Sequence, residues 1–313
     1  MRDAIGARYE SGDDTRENPN IVFRALGLAG RGGYPTGPRE RCSAAGPTGR
    51  LPGALTARSG LRAQIGQAGR VVGALFAEPR LAAVYDALDP DRSDLDAYLA
   101  IAEELGATCV VDVGCGTGTF ACLLAARDKS VVGVDPAAAS LEVARRKPGA
   151  DAVHWVHGDA TALPALRADL ATMTGNVAQV FVDDRRWHET LAAVRASLRA
   201  GGWLVFETRD PGSQAWRRWT HEHTYHHAEI PGVGRVETWV ELTGVAFPLV
   251  SFETTFVFAT DGATLRSQST LRFRDRDEIA GSLEGAGFRL EEVRDAPDRP
   301  GLEMVFLAVR AER

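Results

Sequence analysis

VVDVGCGTGTF, running from Val110 to Phe120, is the stretch on which the reading of the whole chain turns. A short apolar strand leads into it and a helical segment follows. Its glycines allow a sharp backbone turn and a close approach to a ligand, while the helix beyond offers amide groups with no partner of their own. Strand, turn and helix together predict a nucleotide-bearing cofactor at this point. The spacing excludes the commonest kind. A dinucleotide fingerprint needs GxGxxG, but after Gly114 and Gly116 the third position falls on Thr119, and Gly118 comes one place early.

Outward from this stretch, apolar runs at 110–113, 131–134, 153–156, 170–173 and 203–206 predict buried strands. Segments 120–126, 137–146 and 187–198 predict helices between them, the last with Trp187, Leu191, Val194 and Leu198 on one face. Upstream, VVGALFAEPRLAAVYDALDP begins a helically spaced region at Val71. Ser93 with Asp96 three residues later predicts a capping box for a helix that Gly106 stops. After Pro211 the rhythm changes to alternation of apolar and polar residues, near 236–242, 250–258 and 264–273, with turn signals at 231–234 and 261–262. Asp275 and Glu278 then predict a capped helix closed by Gly285 or Gly287, and 288–293 and 304–309 a final pair of strands. The expected fold is α/β: a doubly wound, mainly parallel seven-stranded sheet with helices on both faces, plus an antiparallel β insertion after strand 5, at about 212–274.

Asp112, two residues ahead of Gly114, narrows the cofactor. A carboxylate there repels a pyrophosphate but not the ammonium and sulfonium of S-adenosyl-L-methionine. With its acidic residue followed by GxGxG, the chain resembles the class I (Rossmann-like) S-adenosylmethionine-dependent methyltransferases. The resemblance implies that Asp112, Gly114, Cys115, Gly116 and Gly118 border the cofactor. Asp135, ending the second strand in VVGVDP beside Pro136, stands 23 positions after Asp112, where both ribose hydroxyls can donate to it. HGDA places Asp159 where the family holds the adenine amino group, with the Ala160 amide toward the ring. In TMTGNVAQVF the family's use of backbone carbonyls for the methionyl ammonium falls on Thr174 and Gly175. Tyr85 stands where tyrosines of relatives cap the methyl-donor pocket. A nucleotide-dependent oxidoreductase and a cofactor-binding module without catalysis are the competing readings.

The acceptor site carries fewer signals. Methyltransferases acting on DNA or protein glutamine resemble one another in an Asn/Asp-Pro-Pro-Tyr motif after the fourth strand, but this chain has Gly175-Asn176-Val177-Ala178. That departure resembles the small-molecule type, so the expected partner is a small-molecule methyl acceptor and not nucleic acid, with Asn176 as a candidate for orienting it. Its bland alternative is a turn residue. A general base is needed only for a protonated acceptor. The candidates are His188 and the run His221, His223, His226 and His227. Those four would alternate faces in an extended segment and have no adjacent cysteine, so no metal site is expected.

Composition sets the remaining bounds. Residues 1–70 hold 11 Arg against 6 acidic residues among Gly, Pro, Ser and Thr, and are expected to form a low-complexity extension without a packed core; the methyltransferase domain is expected over 71–313. A net charge of −6 argues against a polyanionic partner. No apolar run reaches the roughly 20 residues of a membrane helix, and the four cysteines lack both a Cys-x-x-Cys pair and the density of a disulfide scaffold. A cytoplasmic location is expected.

Overall fold

A computed structural model describes residues 73–312. The expected extension, residues 1–70, lies outside the described residues. The chain enters through three helices, α1 (Ala74–Ala77), α2 (Pro79–Leu88) and α3 (Asp94–Glu104), before its first strand. Pro79 opens α2, where its missing N–H is no loss, and Gly106 at φ +60° closes α3. The capping box does not form. Ser93 has helical φ and ψ and no side-chain capping bond; its own N–H donates to Asp91 Oδ1 at 3.2 Å.

The strands β1 (Cys109–Val113), β2 (Ser130–Asp135), β3 (Val153–His157), β4 (Ala168–Met173) and β5 (Leu198–Arg209) alternate with α4 (Thr119–Ala125), α5 (Ala138–Ala144) and α6 (Asp184–Ser197). Leu198, expected to finish α6, instead opens β5, which is longer at both ends than its apolar centre indicates. After α7 (His221–Thr224) come β6 (His226–Ile230), β7 (Gly234–Ala246), β8 (Leu249–Phe258) and β9 (Thr264–Arg272). The chain then returns through α8 (Arg276–Gly285) to β10 (Phe288–Asp295) and β11 (Glu303–Arg310). Asp275 does cap α8, accepting the Glu278 N–H at 2.8 Å.

One seven-stranded sheet has the order β10-β11-β5-β4-β1-β2-β3. Pairs among β1 to β5 are parallel, and β11 is antiparallel to both β5 and β10. Adjacent valines serve opposite faces. Val111 packs with Trp187, Leu191 and Val194 of α6 and Ile279 and Leu283 of α8, whereas Val110 packs with Leu95, Leu99 and Phe120 of α3 and α4. This two-sided burial explains why the strands read as continuous apolar runs. Each such side chain contributes about 1.5–3 kcal/mol of transfer free energy.

The order β6-β7-β8-β9 forms a second, antiparallel sheet within the expected insertion. Its inner face covers the entry helices: Val236, Phe256 and Phe258 pack on Leu81, Val84 and Leu88. Its other end rests on Trp216, Trp219 and Phe273, and β9 packs against the turn 177–180 that follows β4. Consecutive connections run from β1 toward β3 on one side and from β4 toward β5 on the other. The sheet order therefore reverses between β1 and β4, where open α/β sheets form a crevice beyond the strand ends.

Candidate functional site

The loop after β1 borders that crevice. The Gly114 and Cys115 amides both donate to the Val134 carbonyl, at 2.8 and 3.2 Å, drawing the loop against β2. Gly114, Gly116 and Gly118 have φ of +74°, +53° and +79°. They serve different ends. A Cβ on Gly114 would stand 2.6 Å from Val177, and one on Gly118 2.4 Å from Trp155, but one on Gly116 would meet nothing within 4 Å. Two glycines thus allow close packing, and the middle one leaves its backbone bare toward open space. Cys115 is buried, and burial raises its thiol well above the ordinary range, so it is an unreactive wall residue.

Two carboxylates stand beneath the loop. Asp112 is 1 % exposed, accepts the Thr172 hydroxyl at 3.1 Å on Oδ1 and has no hydrogen-bond partner on Oδ2. Burial pushes it up to about 7, against the Thr172 bond and with help from Asp135. A cation nearby would favour its charged form. Asp135 is also buried, and each of its oxygens holds an amide: Oδ2 accepts from Gly116 at 2.9 Å and Oδ1 from Ala137 at 2.7 Å. Burial raises its carboxyl, while the two amides work the other way. Asp135 therefore both pins the glycine loop and holds the residue that precedes α5.

The remaining expected cofactor residues spread along the same edge. Pro136 is half-buried, with its carbonyl 3.1 Å from His157 Nε2. Asp159 follows β3 and caps the turn 160–162 through the Thr161 amide at 2.9 Å, with Ala160 buried beside it. Tyr85 lies within α2, its ring 5.8 Å from that of Phe76, and burial pushes its phenol up to about 12. Its neighbour Asp86 ties α2 to the glycine loop, bonding Thr117 at 2.7 Å and Lys147 at 2.7 Å.

After β4 the chain makes two left-handed residues in succession, Gly175 at φ +72° and Asn176 at φ +60°. The amides of both donate to one oxygen of Glu207, at 2.5 and 3.0 Å. Asn176 is 3 % exposed and its Nδ2 donates to Glu303 Oε1 at 3.0 Å, which ties it to β11. The same Glu303 oxygen accepts from Arg299 at 2.8 Å and lies 3.7 Å from Arg209 Nε. Burial, reinforced by Glu303, pushes Glu207 up to about 8.

The structure thus gathers Asp112, the glycine loop, Asp135, Pro136, Thr174 and Gly175 at the β1/β4 reversal, with Asp159 and Ala160 further along the edge. It does not bring His188 to them. That ring is exposed on α6, with Nδ1 2.7 Å from the Asp184 carbonyl of its own helix. The histidine run divides between α7 and β6, where His221 packs against Trp239 and burial lowers His226. Among the described residues, no three His, Cys, Asp or Glu side chains are grouped to hold a metal ion, and no helix is long and apolar enough to cross a membrane.

Glu207 and Arg92 are additions that the sequence pattern does not single out. Arg92 is a largely buried cation lowered by desolvation, 3.6 Å from Asp94, with its Nε unbonded. The charged ending of an apolar run, as in WLVFETR, is the signal that could have found Glu207. No motif marks Arg92, whose ion-pair partner is Asp94 two residues on and whose burial comes from the fold.

Comparison with known proteins agrees with this geometry. Residues 110–202 match the methyltransferase domain family. An uncharacterized methyltransferase of Mycobacterium tuberculosis is 32% identical over 113 residues, covering 36% of this chain and 56% of its own length. The chain thus spans little more than half of that relative. A ubiquinone/menaquinone biosynthesis C-methyltransferase of Rubrivivax gelatinosus is 28% identical over 203 residues, 64% of this chain and 70% of its own. Among solved structures, a sugar N-methyltransferase of a Streptoalloteichus species superposes with a TM-score of 0.63 at 19% identity, covering 83% of this chain and 100% of its own. That likeness establishes the fold.

Proposed function

We propose that this chain, a member of the class I S-adenosylmethionine-dependent methyltransferases, transfers a methyl group to a small-molecule acceptor by in-line displacement. The observation that carries the reading is the cradle at Gly116, bare toward the crevice and pinned from below by Asp135. The residues fit the cofactor. The unbonded Asp112 Oδ2 offers a buried acceptor on the side where positive charge is expected, and Gly116 leaves room that a Cβ would fill.

When bound, S-adenosyl-L-methionine supplies a methyl group on a sulfonium already activated by its charge. Asp135 would accept from the ribose hydroxyls on lone pairs left over from its two amide bonds. Asp159 and the Ala160 amide would hold the adenine, Thr174 and Gly175 the methionyl ammonium, and Arg92 the methionyl carboxylate. The chain's contribution to rate is then positioning and the exclusion of water. The second sheet, lying across α2 and the turn 177–180, would close the acceptor side as a lid. Two of the three similar proteins are by name a quinone-biosynthesis C-methyltransferase and a sugar N-methyltransferase, which supports a small molecule without fixing the accepting atom.

Calorimetric titration tests the cofactor: S-adenosylmethionine should bind, and NAD and NADP should give no heat. Turnover is tested by release of S-adenosylhomocysteine on incubation with a metabolite extract. Binding of NAD in preference to S-adenosylmethionine would overturn the proposal.

A further inference from the structure

Glu207 has a geometry that ordinary strand-end burial does not require. One of its oxygens receives two consecutive amides, those of Gly175 and Asn176, at 2.5 and 3.0 Å. In a trans peptide unit the N–H and C=O point in opposite directions. Fixing the Gly175 amide on Glu207 therefore turns the Thr174 carbonyl away from it, and fixing the Asn176 amide does the same for the Gly175 carbonyl. Gly175 is exposed while Glu207 is 1 % exposed, so the carbonyl side of this turn is the open side. Among the described residues no hydrogen bond reaches either carbonyl. The turn presents two free acceptors to the crevice because their opposite ends are held.

The holding has to be strong. Two left-handed residues in succession are sparsely populated, and Asn176 is not glycine. The Asn176 side chain adds a second anchor on Glu303, itself bonded by Arg299. Hydrogen bonds at the N–H ends also polarise the peptide units, making their carbonyl oxygens better acceptors for a cation.

We infer that Glu207 is a positioning residue for the amino-acid end of the cofactor, acting through the peptide units it fixes rather than by contact. This rests on the reading of Thr174 and Gly175 as the ammonium-binding carbonyls. Its functional signature is selective: Glu207 matters for ligands that carry the methionyl ammonium and not for the adenosine half.

The test compares two ligands on the full chain by calorimetry. S-adenosylhomocysteine carries the amino-acid end, and 5′-methylthioadenosine has the same nucleoside and sulfur without it. Glu207→Ala should weaken S-adenosylhomocysteine by about tenfold or more and leave 5′-methylthioadenosine within about twofold. Glu207→Gln, which keeps one oxygen for the amides, should fall between wild type and Glu207→Ala. It carries the same comparison should the alanine variant fail to fold. Equal weakening of both ligands, or of neither, overturns the inference. If the wild-type chain binds neither ligand, the cofactor reading itself fails. Hydrogen exchange then decides the turn separately: faster exchange at Gly175 and Asn176 in Glu207→Ala, or in Glu207→Met should the alanine variant fail to fold, upholds Glu207 as its anchor, and unchanged protection rejects it.

Discussion

Asp135→Ala separates two duties that one side chain performs. The carboxylate holds the Gly116 amide at 2.9 Å and the Ala137 amide at 2.7 Å, and it is 7 % exposed. Truncation leaves two amides to find water at the crevice edge. An unsatisfied buried donor costs about 1–3 kcal/mol, so partial rehydration leaves a loss of roughly 2–4 kcal/mol. For a domain of this size that lowers Tm by about 5–15 °C. Affinity falls as well, because the ribose loses its charged acceptor and the glycine loop its anchor. With compensation by water the expected change is about 10- to 100-fold in Kd. Asp135→Asn should not rescue stability fully, since its amide group faces a second N–H. Scanning calorimetry reads the first effect and titration with S-adenosylhomocysteine the second. An unchanged Tm would refute the pinning role. An unchanged Kd in a folded variant would refute the ribose assignment.

The glycines give a paired expectation. Gly118→Ala, at φ +79° and 2.4 Å from Trp155, should cost about 2–5 kcal/mol of stability, whereas Gly116→Ala carries only the left-handed strain of about 1–2 kcal/mol and chiefly blocks cofactor binding. Thermal melts and titration on both variants check this, and the reverse pattern would contradict the cradle. Stability of the ligand-free chain should fall with rising pH. Burial raises Asp94 to about 6, Asp112 to about 7 and Glu207 to about 8, so their contribution is full below the ordinary carboxylate range and is lost as pH climbs through these values. Other groups act in the opposite sense at lower pH: His226, lowered by burial; Asp169, held down to about 2 against burial by Arg199 and two amides; and Glu104, Asp184 and Asp261, lowered by arginine partners. Tm should therefore be lower at about pH 8.5 than at about pH 5.5, and a melt series showing the opposite trend would refute it. His188→Ala should change turnover by less than about twofold, because an exposed surface ring that bonds only its own helix has no part in the crevice; a loss of tenfold or more would restore it as a catalytic group.

The sequence by itself determined the elements and their order. β1 and β2 are buried on both faces, so their residues must be apolar nearly throughout, and Val110–Val113 or Val131–Val134 announce themselves without reference to anything distant, whereas the edge strand β3 is only partly buried. The left-handed turns at Gly114, Gly116 and Gly118 likewise demand glycine wherever the rest of the chain goes. Local constraints of this kind are written in adjacent residues. The insertion was legible for the same reason, since β7 and β8 alternate between a buried and an open face. Only the tertiary structure decided what depends on pairs far apart in the chain. Asp135 looks like a single-purpose strand end until Gly116, 19 residues earlier, proves to be its partner. Glu207 acquires its role from a turn 32 residues away, and the Asn176 amide nitrogen finds its acceptor on Glu303, 127 residues on. His188 went the other way: its residue type suggested chemistry, but α6 presents it to solvent. A hydrogen bond between distant segments leaves no periodicity behind, because either partner could satisfy itself in many ways until packing leaves it one.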